Sequence, residues 1–129
     1  MSSTFSIISE IMDLIALKKT LSGLETQYAE MNSMTTCDGE VHKVDVVIKG
    51  PEGRMIGVQK TDKGSYQFIA DAKGLTKEQL KTQKSFINTI KQKYAYHKIV
   101  SELKNQGYII SEEEKVQNNT IRLVARKWN

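Results

Sequence analysis

Tyr94 and His97 are the two residues whose types and spacing come nearest to acid–base chemistry. They fall three positions apart in a stretch with helical periodicity, and residues three apart on a helix are neighbours. An imidazole that titrates near neutral pH suits proton transfer when a phenol lies beside it. Alternatively, both rings pack at the edge of the core and hydrogen-bond at their polar tips, as tyrosine often does. The sequence favours this packing role, because no nucleophile or carboxylate pair stands at a matching spacing.

A row of lysines is the main electrostatic feature of the chain. It consists of five residues, four of which recur at seven-residue steps: Lys77, Lys81, Lys84, Lys91 and Lys98. Seven residues are nearly two helical turns, so the row follows one helix face. Residues 77–104 carry seven lysines and two glutamates, a charge of +5, in a chain whose net charge is +4. The face could bind polyanions such as nucleic acid or an acidic protein.

The alternative for the lysine row is the solvated face of an amphipathic helix, in which lysine is a good helix former. The sequence favours this alternative, because no exposed aromatic residues for base stacking are evident nearby.

Metal, phosphate and dinucleotide motifs are missing from the sequence. His42 and His97 are far apart and Cys37 is the only cysteine, so no zinc spacing and no disulfide can be formed. Residues 50–53 match the four-residue pattern of the RNA-gripping loop in KH domains, but that loop joins two helices. Here both flanks have strand character, so the Gly-Pro-Glu-Gly run predicts a hairpin turn. We expect no metal site and no cofactor.

The elements that position these residues begin with a short apolar strand at 5–10, followed by a helix. Asp13 is a good N-cap, and leucines at three- and four-residue steps from Leu14 to Leu24 predict one helix face. Gly23 is expected to supply the left-handed residue that ends the helix. A second strand is predicted at 27–31.

The middle third predicts antiparallel hairpins. Alternating runs at 43–49, 54–60 and 65–71 are separated by turn residues at 50–53 and 61–64.

The last third predicts a long helix and a final hairpin. Thr76 and Gln79 fit a capping box, and neither proline nor glycine occurs before Gly107. The hairpin is predicted from strands at 108–112 and 120–126, with its turn at 118–119.

The predicted order is therefore β-α-β-β-β-β-α-β-β. We predict one α+β domain over residues 1–129, with a mainly antiparallel sheet and two helices packed on one face. The candidate core residues are Leu14, Leu17, Leu21, Val46, Phe68, Ile90 and Leu123.

The composition and the first residues of the sequence indicate the cellular compartment of the protein. The longest apolar run, 14–17, is four residues, whereas a membrane-spanning helix needs about 20. The start of the chain lacks the basic and apolar regions of a signal peptide, and a single cysteine is typical of a reducing compartment. We expect a cytoplasmic protein with no membrane association.

Several short runs, in this order along the chain, carry a resemblance to a known family: Phe5-Ser6-Ile7, Asp13-Leu14, Ala16-Leu17-Lys18, Val44-Asp45-Val46-Val47-Ile48, Gln92-Lys93-Tyr94-Ala95-Tyr96-His97-Lys98, Gln106-Gly107-Tyr108 and Ile121-Arg122-Leu123-Val124. Together they resemble the conserved hypothetical reading frame thirty-five family of plastids and cyanobacteria, a domain of unknown function that also occurs in other bacteria. The resemblance covers nearly the whole chain. It implies a soluble cytoplasmic or stromal protein, and it supplies no reaction, cofactor or catalytic residue.

The function favoured by the sequence is a non-enzymatic accessory or protein-interaction module whose partner is another, unidentified protein. The first alternative is a nucleic-acid-binding protein that uses the basic face of the helix predicted at 76–106. The second alternative is an enzyme with a site at Tyr94 and His97.

Overall fold

A computed structural model describes the backbone of residues 4–115 and 121–127 and the side chains of residues 4–108. Two helices, α1 (Leu14–Gly23) and α2 (Lys77–Asn105), are set among short strands. The strands are β1 (Thr4–Ile8), β2 (Tyr28–Glu30), β3 (Ser33–Thr35), β4 (Val41–Lys43), β5 (Val46–Lys49), β6 (Met55–Lys60), β7 (Tyr66–Asp71), β8 (Tyr108–Lys115) and β9 (Ile121–Lys127).

The main sheet has five strands in the order β1-β7-β6-β5-β2, and every neighbouring pair is antiparallel. Two further antiparallel pairs, β3–β4 and β8–β9, form separate two-stranded sheets. The predicted α+β class and order of elements are confirmed, and the structure adds the small strand β3. Because β1 ends the sheet on one side, its outer edge has no strand partner among the strands described.

The core lies between α1 and α2 and one face of the main sheet. Its buried side chains come from both helices and from the inward positions of β5, β6 and β7, where alternate residues share a face. Five predicted core residues are fully buried: Leu17, Leu21, Val46, Phe68 and Ile90. Leu14 is partly buried and packs against the same cluster. The side chain of Leu123 lies outside the described residues.

The opposite face of the sheet is covered in part by the β3–β4 hairpin. Met34 of this hairpin is buried with Val44, Val47 and Ile69 in a second, smaller cluster. Gly57 makes the close approach possible, because a Cβ atom there would lie 2.7 Å from Val44 Cγ1. A residue without a side chain is therefore needed beneath the hairpin.

The predicted helix starts are confirmed, but one helix end was wrong. The Asp13 side chain accepts a hydrogen bond from the Ala16 N–H, and Thr76 with Gln79 forms the capping box. Gly23 lies inside α1, and Glu25 instead adopts the left-handed conformation, with φ 57°. Glutamate pays a steric cost there that glycine would avoid.

The strand predicted at 43–49 is divided in two. The chain pairs as β4 up to Lys43, and it pairs as β5 only from Val46 onward. Val44 is buried in the second cluster, whereas Val46 is buried in the main core. Alternation continues through the break, so the hydrophobic pattern alone did not reveal it.

The remaining turns follow the prediction. A short 3-10 turn, Pro51–Gly53, joins β5 to β6, and Glu52 within it takes a left-handed φ of 62°, so the loop joins strands. Gly107 takes a left-handed φ of 86° after α2. The turn predicted at 118–119 lies outside the described residues. Neither helix in the described part of the chain is long and apolar enough to cross a membrane.

Candidate functional site

Tyr94 is a core residue that also supports the start of α1. Its side chain is 7% exposed and packs in the main cluster. Its hydroxyl oxygen accepts a hydrogen bond from the Asp13 backbone N–H, with a donor–acceptor distance of 3.3 Å. The polar tip is thus occupied by the N-cap residue of α1, in keeping with the packing role favoured by the sequence.

His97 lies on the same side of α2 but is exposed, so the expectation that both rings sit buried at the core edge was wrong for this residue. Its ring meets the Tyr96 ring edge-on, with the ring centroids 5.2 Å apart. Tyr94 and His97 both line a crevice of about 450 Å³ between α1 and α2. The structure therefore brings the two rings to one crevice, at very different depths.

Four lysines of the row fall into two groups, and the fifth, Lys98, is exposed farther along α2. Lys77 and Lys81 are exposed on the first turns of α2. Lys84 and Lys91 instead contact β1: the Lys84 ammonium lies 5.5 Å from the Phe5 ring centroid, and Lys91 Nζ donates to the Ile8 carbonyl oxygen at 3.1 Å. The helix thus carries two of its lysines along the outer edge of the sheet.

An apolar groove opens where β1 ends. It has a volume of about 820 Å³ and runs between residues 8–12 and the second half of α2. We call it the N-terminal groove, and its lining residues are Ile8, Ser9, Glu10, Ile11, Met12, Lys91, Gln92, Tyr94, Ala95, Lys98 and Ile99. Its size lies in the range of 300 to 1,000 Å³, roughly, that is typical of ligand pockets.

Large apolar side chains are exposed around the N-terminal groove. Ile8 is 74% exposed, Met12 64% and Ile99 49%. Ile15, which is 67% exposed, lines the adjoining crevice between α1 and α2. These four are among the seven large apolar residues that are exposed in the part of the chain whose side chains are described. The apolar surface is thus concentrated at one seam of the molecule.

The charges at the N-terminal groove are distributed unevenly between its walls. Lys91 and Lys98 stand on the α2 wall, and Glu10 stands on the opposite wall. Asp13, in the adjoining crevice, is engaged as the N-cap of α1. The α2 wall is therefore the positive one.

A second polar cluster pins the end of the β3–β4 hairpin to β7. The Cys37 backbone N–H donates to the buried Asp71 carboxylate at 2.8 Å, and an Arg54 nitrogen lies 3.7 Å from the same carboxylate. Burial raises the pKa of Asp71, but hydrogen bonds from Cys37 and Lys73 and the charge of Arg54 outweigh it, so the pKa is lowered overall. The pKa of the Cys37 thiol is raised, first by its hydrogen bond to Asp71 and then by desolvation. Cys37 is thus held as a thiol, which is a poor nucleophile.

Metal ligands do not converge in the described part of the chain: no three histidine, cysteine, aspartate or glutamate side chains there could hold an ion. Sequence reasoning missed the N-terminal groove, since one of its walls, at 9–12, belongs to neither a strand nor a helix. One signal was available. Residues 5–12 contain more large apolar side chains than the inner face of an outer strand can bury.

The fold and the groove define a class of protein: a small α+β protein whose two helices cover one face of an antiparallel sheet and leave an apolar groove with a basic wall. Sequence comparison gives the family. The chain belongs to the family described as protein of unknown function (DUF1257), whose profile matches residues 20–124. The resemblance found in the sequence is thereby confirmed.

Two relatives match along almost their whole lengths. One is the uncharacterized protein ycf35 of Pyropia yezoensis, 34% identical over 131 residues, which cover 100% of this chain and 99% of the relative. The other is the uncharacterized protein ycf35 of Cyanophora paradoxa, 33% identical over 129 residues, which cover 99% and 98%. No solved structure matches the chain.

Proposed function

We propose that this protein is a non-enzymatic protein-interaction module, and that the N-terminal groove binds an acidic, partly apolar segment of a partner protein. The observation that carries the proposal is the coincidence of exposed Ile8, Met12 and Ile99 with a lysine-bearing wall in one groove.

Exposed apolar surface is the first support. Isolated apolar residues are ordinary on protein surfaces, but a contiguous patch with a polar border usually marks an interaction site. Ile8 and Met12 stand on one wall of the groove and Ile99 stands on the other, so a bound segment can bury all three at once. Burying an apolar side chain fully is worth about 1.5–3 kcal/mol, and three such residues can form the centre of an interface.

Charge selects the kind of partner. Lys91 and Lys98 border the groove, and α2 as a whole carries +5. A second copy docked symmetrically on the same groove would place two net-positive patches against each other, since both subunits of such an interface use the same surface. Like charges in one interface cost binding energy, whereas an acidic segment would complement them. The charge therefore favours an acidic partner over self-association.

The test is binding of a synthetic 16-residue peptide built from leucine, glutamate and alanine, followed by fluorescence anisotropy. Ile99→Glu and Lys98→Glu place a negative charge in the groove and keep a good helix former in α2. The matched controls are Met31→Glu, at a site 48% exposed and away from the groove, and Lys81→Glu on the same helix. We expect each groove variant to raise Kd by about tenfold, or 1.4 kcal/mol.

Equal weakening by the groove variants and the controls would contradict the proposal, as would the absence of saturable binding. Sedimentation velocity of the protein and its variants tests whether the groove instead mediates dimerisation. A dimer that Ile99→Glu dissociates and Met31→Glu does not would show that the groove binds a second copy of the chain instead.

Nucleic-acid binding by α2 is the second candidate function, and it is favoured by two exposed lysines that stand outside the groove, Lys77 and Lys81. The test is retention of single-stranded DNA across a salt series. Binding through phosphates should weaken linearly with log salt, and the double variant Lys77→Glu/Lys81→Glu should make the slope shallower by about one unit per lost contact. Failure to bind at low salt would remove this candidate.

We place the module in the cytoplasm, or in the stroma where a plastid genome encodes it. The support is the free thiol of the single cysteine, Cys37, which suits a reducing compartment, together with the family resemblance. Fractionation with a fluorescent fusion would test it, and accumulation in a membrane or secreted fraction would contradict it.

A further inference from the structure

We infer that the acidic segment binds the N-terminal groove as an amphipathic α-helix lying along the second half of α2. The inference rests on the proposed docking function and goes beyond it, because it fixes the conformation and the residue pattern of the partner. Two of the known modes of peptide recognition fit an edge strand beside a helix: strand addition to β1 and a helix laid in the groove.

The outer edge of β1 is guarded against strand addition. Lys91 Nζ donates to the Ile8 carbonyl oxygen, so a strand that paired there would first have to displace an ammonium group. Lys84 extends over the Phe5 ring at the other end of the same strand. Lysines placed along an edge strand are a usual means by which proteins block pairing with another chain.

The shape of the α2 wall suits a helix. Ala95 and Ile99 line the groove four residues apart, which places them on one face of α2, one turn above the other. Packed helices approach to about 8–10 Å between their axes, and a small residue at the contact permits the closer distances. The exposed Ala95 provides this small residue midway along the groove, between Lys91 and Ile99.

The spacing of the two groove lysines also matches a helix. Lys91 and Lys98 are seven residues apart on α2, or about 10.5 Å along its axis. Two acidic residues that are seven apart on a partner helix are also separated by about 10.5 Å along its axis, and they lie on the same side of that helix. A strand covers this distance in about three residues, which places the two side chains on opposite faces.

The partner pattern follows from these distances. Leucines or other large apolar residues at steps of three and four would face Ile8, Met12 and Ile99. Glutamates at seven-residue steps would lie on the flank that meets Lys91 and Lys98. The other flank would be neutral or basic, because Glu10 stands on the opposite wall.

Three 16-residue peptides of identical leucine, glutamate and alanine composition separate the two modes. The first places leucines at helical three- and four-residue steps, the second alternates them as in a strand, and the third is scrambled. We expect the first peptide to bind at least tenfold more tightly than the second, with a gain of helical circular dichroism on binding. Because this comparison uses the unmodified protein, it does not depend on the folding of any variant.

Two α2 variants then locate the helix. Ala95→Gln fills the groove, and it should weaken binding of the first peptide by about tenfold. Thr89→Gln, an exposed position of α2 outside the groove, should not. Equal effects of the two substitutions would overturn the placement along α2.

The outcomes distinguish the inference from the proposed function. If the alternating peptide binds most tightly and remains sensitive to Ile99→Glu, the occupant is a strand, and the inference fails while the docking function stands. If no peptide binds in a way that Ile99→Glu weakens, the docking function fails, and the inference fails with it.

Discussion

The hydroxyl of Tyr94 and the backbone N–H of Asp13 are joined by a hydrogen bond that connects the middle of α2 to the first residue before α1. Asp13 in turn accepts from the Ala16 N–H through its carboxylate, so one residue serves two contacts at the start of the helix. Tyr94 also lines both the N-terminal groove and the adjoining crevice. This hydrogen bond therefore stabilises the contact between α1 and α2 that separates the N-terminal groove from the crevice.

Tyr94→Phe should lower the free energy of unfolding by about 1 kcal/mol, because the Asp13 N–H loses its acceptor while the ring still packs. His97→Ala should cost less than Tyr94→Phe, since His97 is exposed and Tyr94 is buried. Urea denaturation of both variants measures the difference. A larger loss for His97→Ala than for Tyr94→Phe would contradict the assigned roles.

Charge reversal at two pairs of lysines should separate the two groups in the row. Lys84→Glu/Lys91→Glu removes the cation over Phe5 and the donor to the Ile8 carbonyl oxygen. We expect it to destabilise the fold by about 1 kcal/mol more than the control pair, as lost cation–π contacts and surface hydrogen bonds suggest. The control, Lys77→Glu/Lys81→Glu, makes the same change in charge on the same helix. Equal thermal unfolding midpoints would refute the expected difference.

Acid should destabilise the protein in part through Asp71. Its pKa in the folded state lies below the ordinary value of 3.8, so the unfolded chain binds the proton first as the pH falls. The stabilisation is fully present above the ordinary value and is lost as the pH falls through the lower, folded value. We therefore expect Asp71→Asn to show a smaller loss of stability than the wild type between about pH 5 and pH 2.

The measurement is urea denaturation of both proteins at several pH values across this window. Other carboxylates contribute equally to both proteins, so only the difference between the curves is informative. Parallel curves would show that Asp71 does not titrate with unfolding.

Alkylation of Cys37 by iodoacetamide should be slower than that of a free cysteine at the same pH. The side chain is exposed, but the hydrogen bond to Asp71 raises the pKa of the thiol and lowers the reactive thiolate fraction. Asp71→Asn removes this acceptor charge and leaves Arg54 nearby, so the rate should increase several-fold. An unchanged rate would show that the Asp71 carboxylate does not control the thiol.

Local sequence signals predicted the elements whose causes are local. The capping box of Thr76 with Gln79 and the N-cap Asp13 each depend on residues three apart, and both form as predicted. The inward faces of β5 and β7 follow from alternation, and Val46 and Phe68 are buried accordingly.

One error concerns the residue at which α1 ends. Glu25 takes the left-handed turn in place of Gly23, and the Thr26 N–H then bonds the Leu21 carbonyl oxygen to complete the helix end. Nothing in the local sequence distinguishes this from an ending at the glycine.

The N-terminal groove escaped prediction because contacts between distant segments form it. Lys91 belongs to a periodic row, but its contact with Ile8 spans 83 positions of sequence. Periodicity gives the helix face on which a residue stands, and it does not say which distant segment lies opposite.

The close approach of Gly57 to Val44 predicts how other members of the family should vary at these two positions. The Cβ of any larger residue at the position of Gly57 would meet Val44 Cγ1, with Met34 next in line. A relative that carries alanine there should therefore carry a smaller residue than valine at the position of Val44, or lack the β3–β4 hairpin in this place. The two positions thus form a pair that should covary, and a larger residue at the position of Gly57 beside a retained valine at the position of Val44 indicates a relative that no longer folds this hairpin over its sheet.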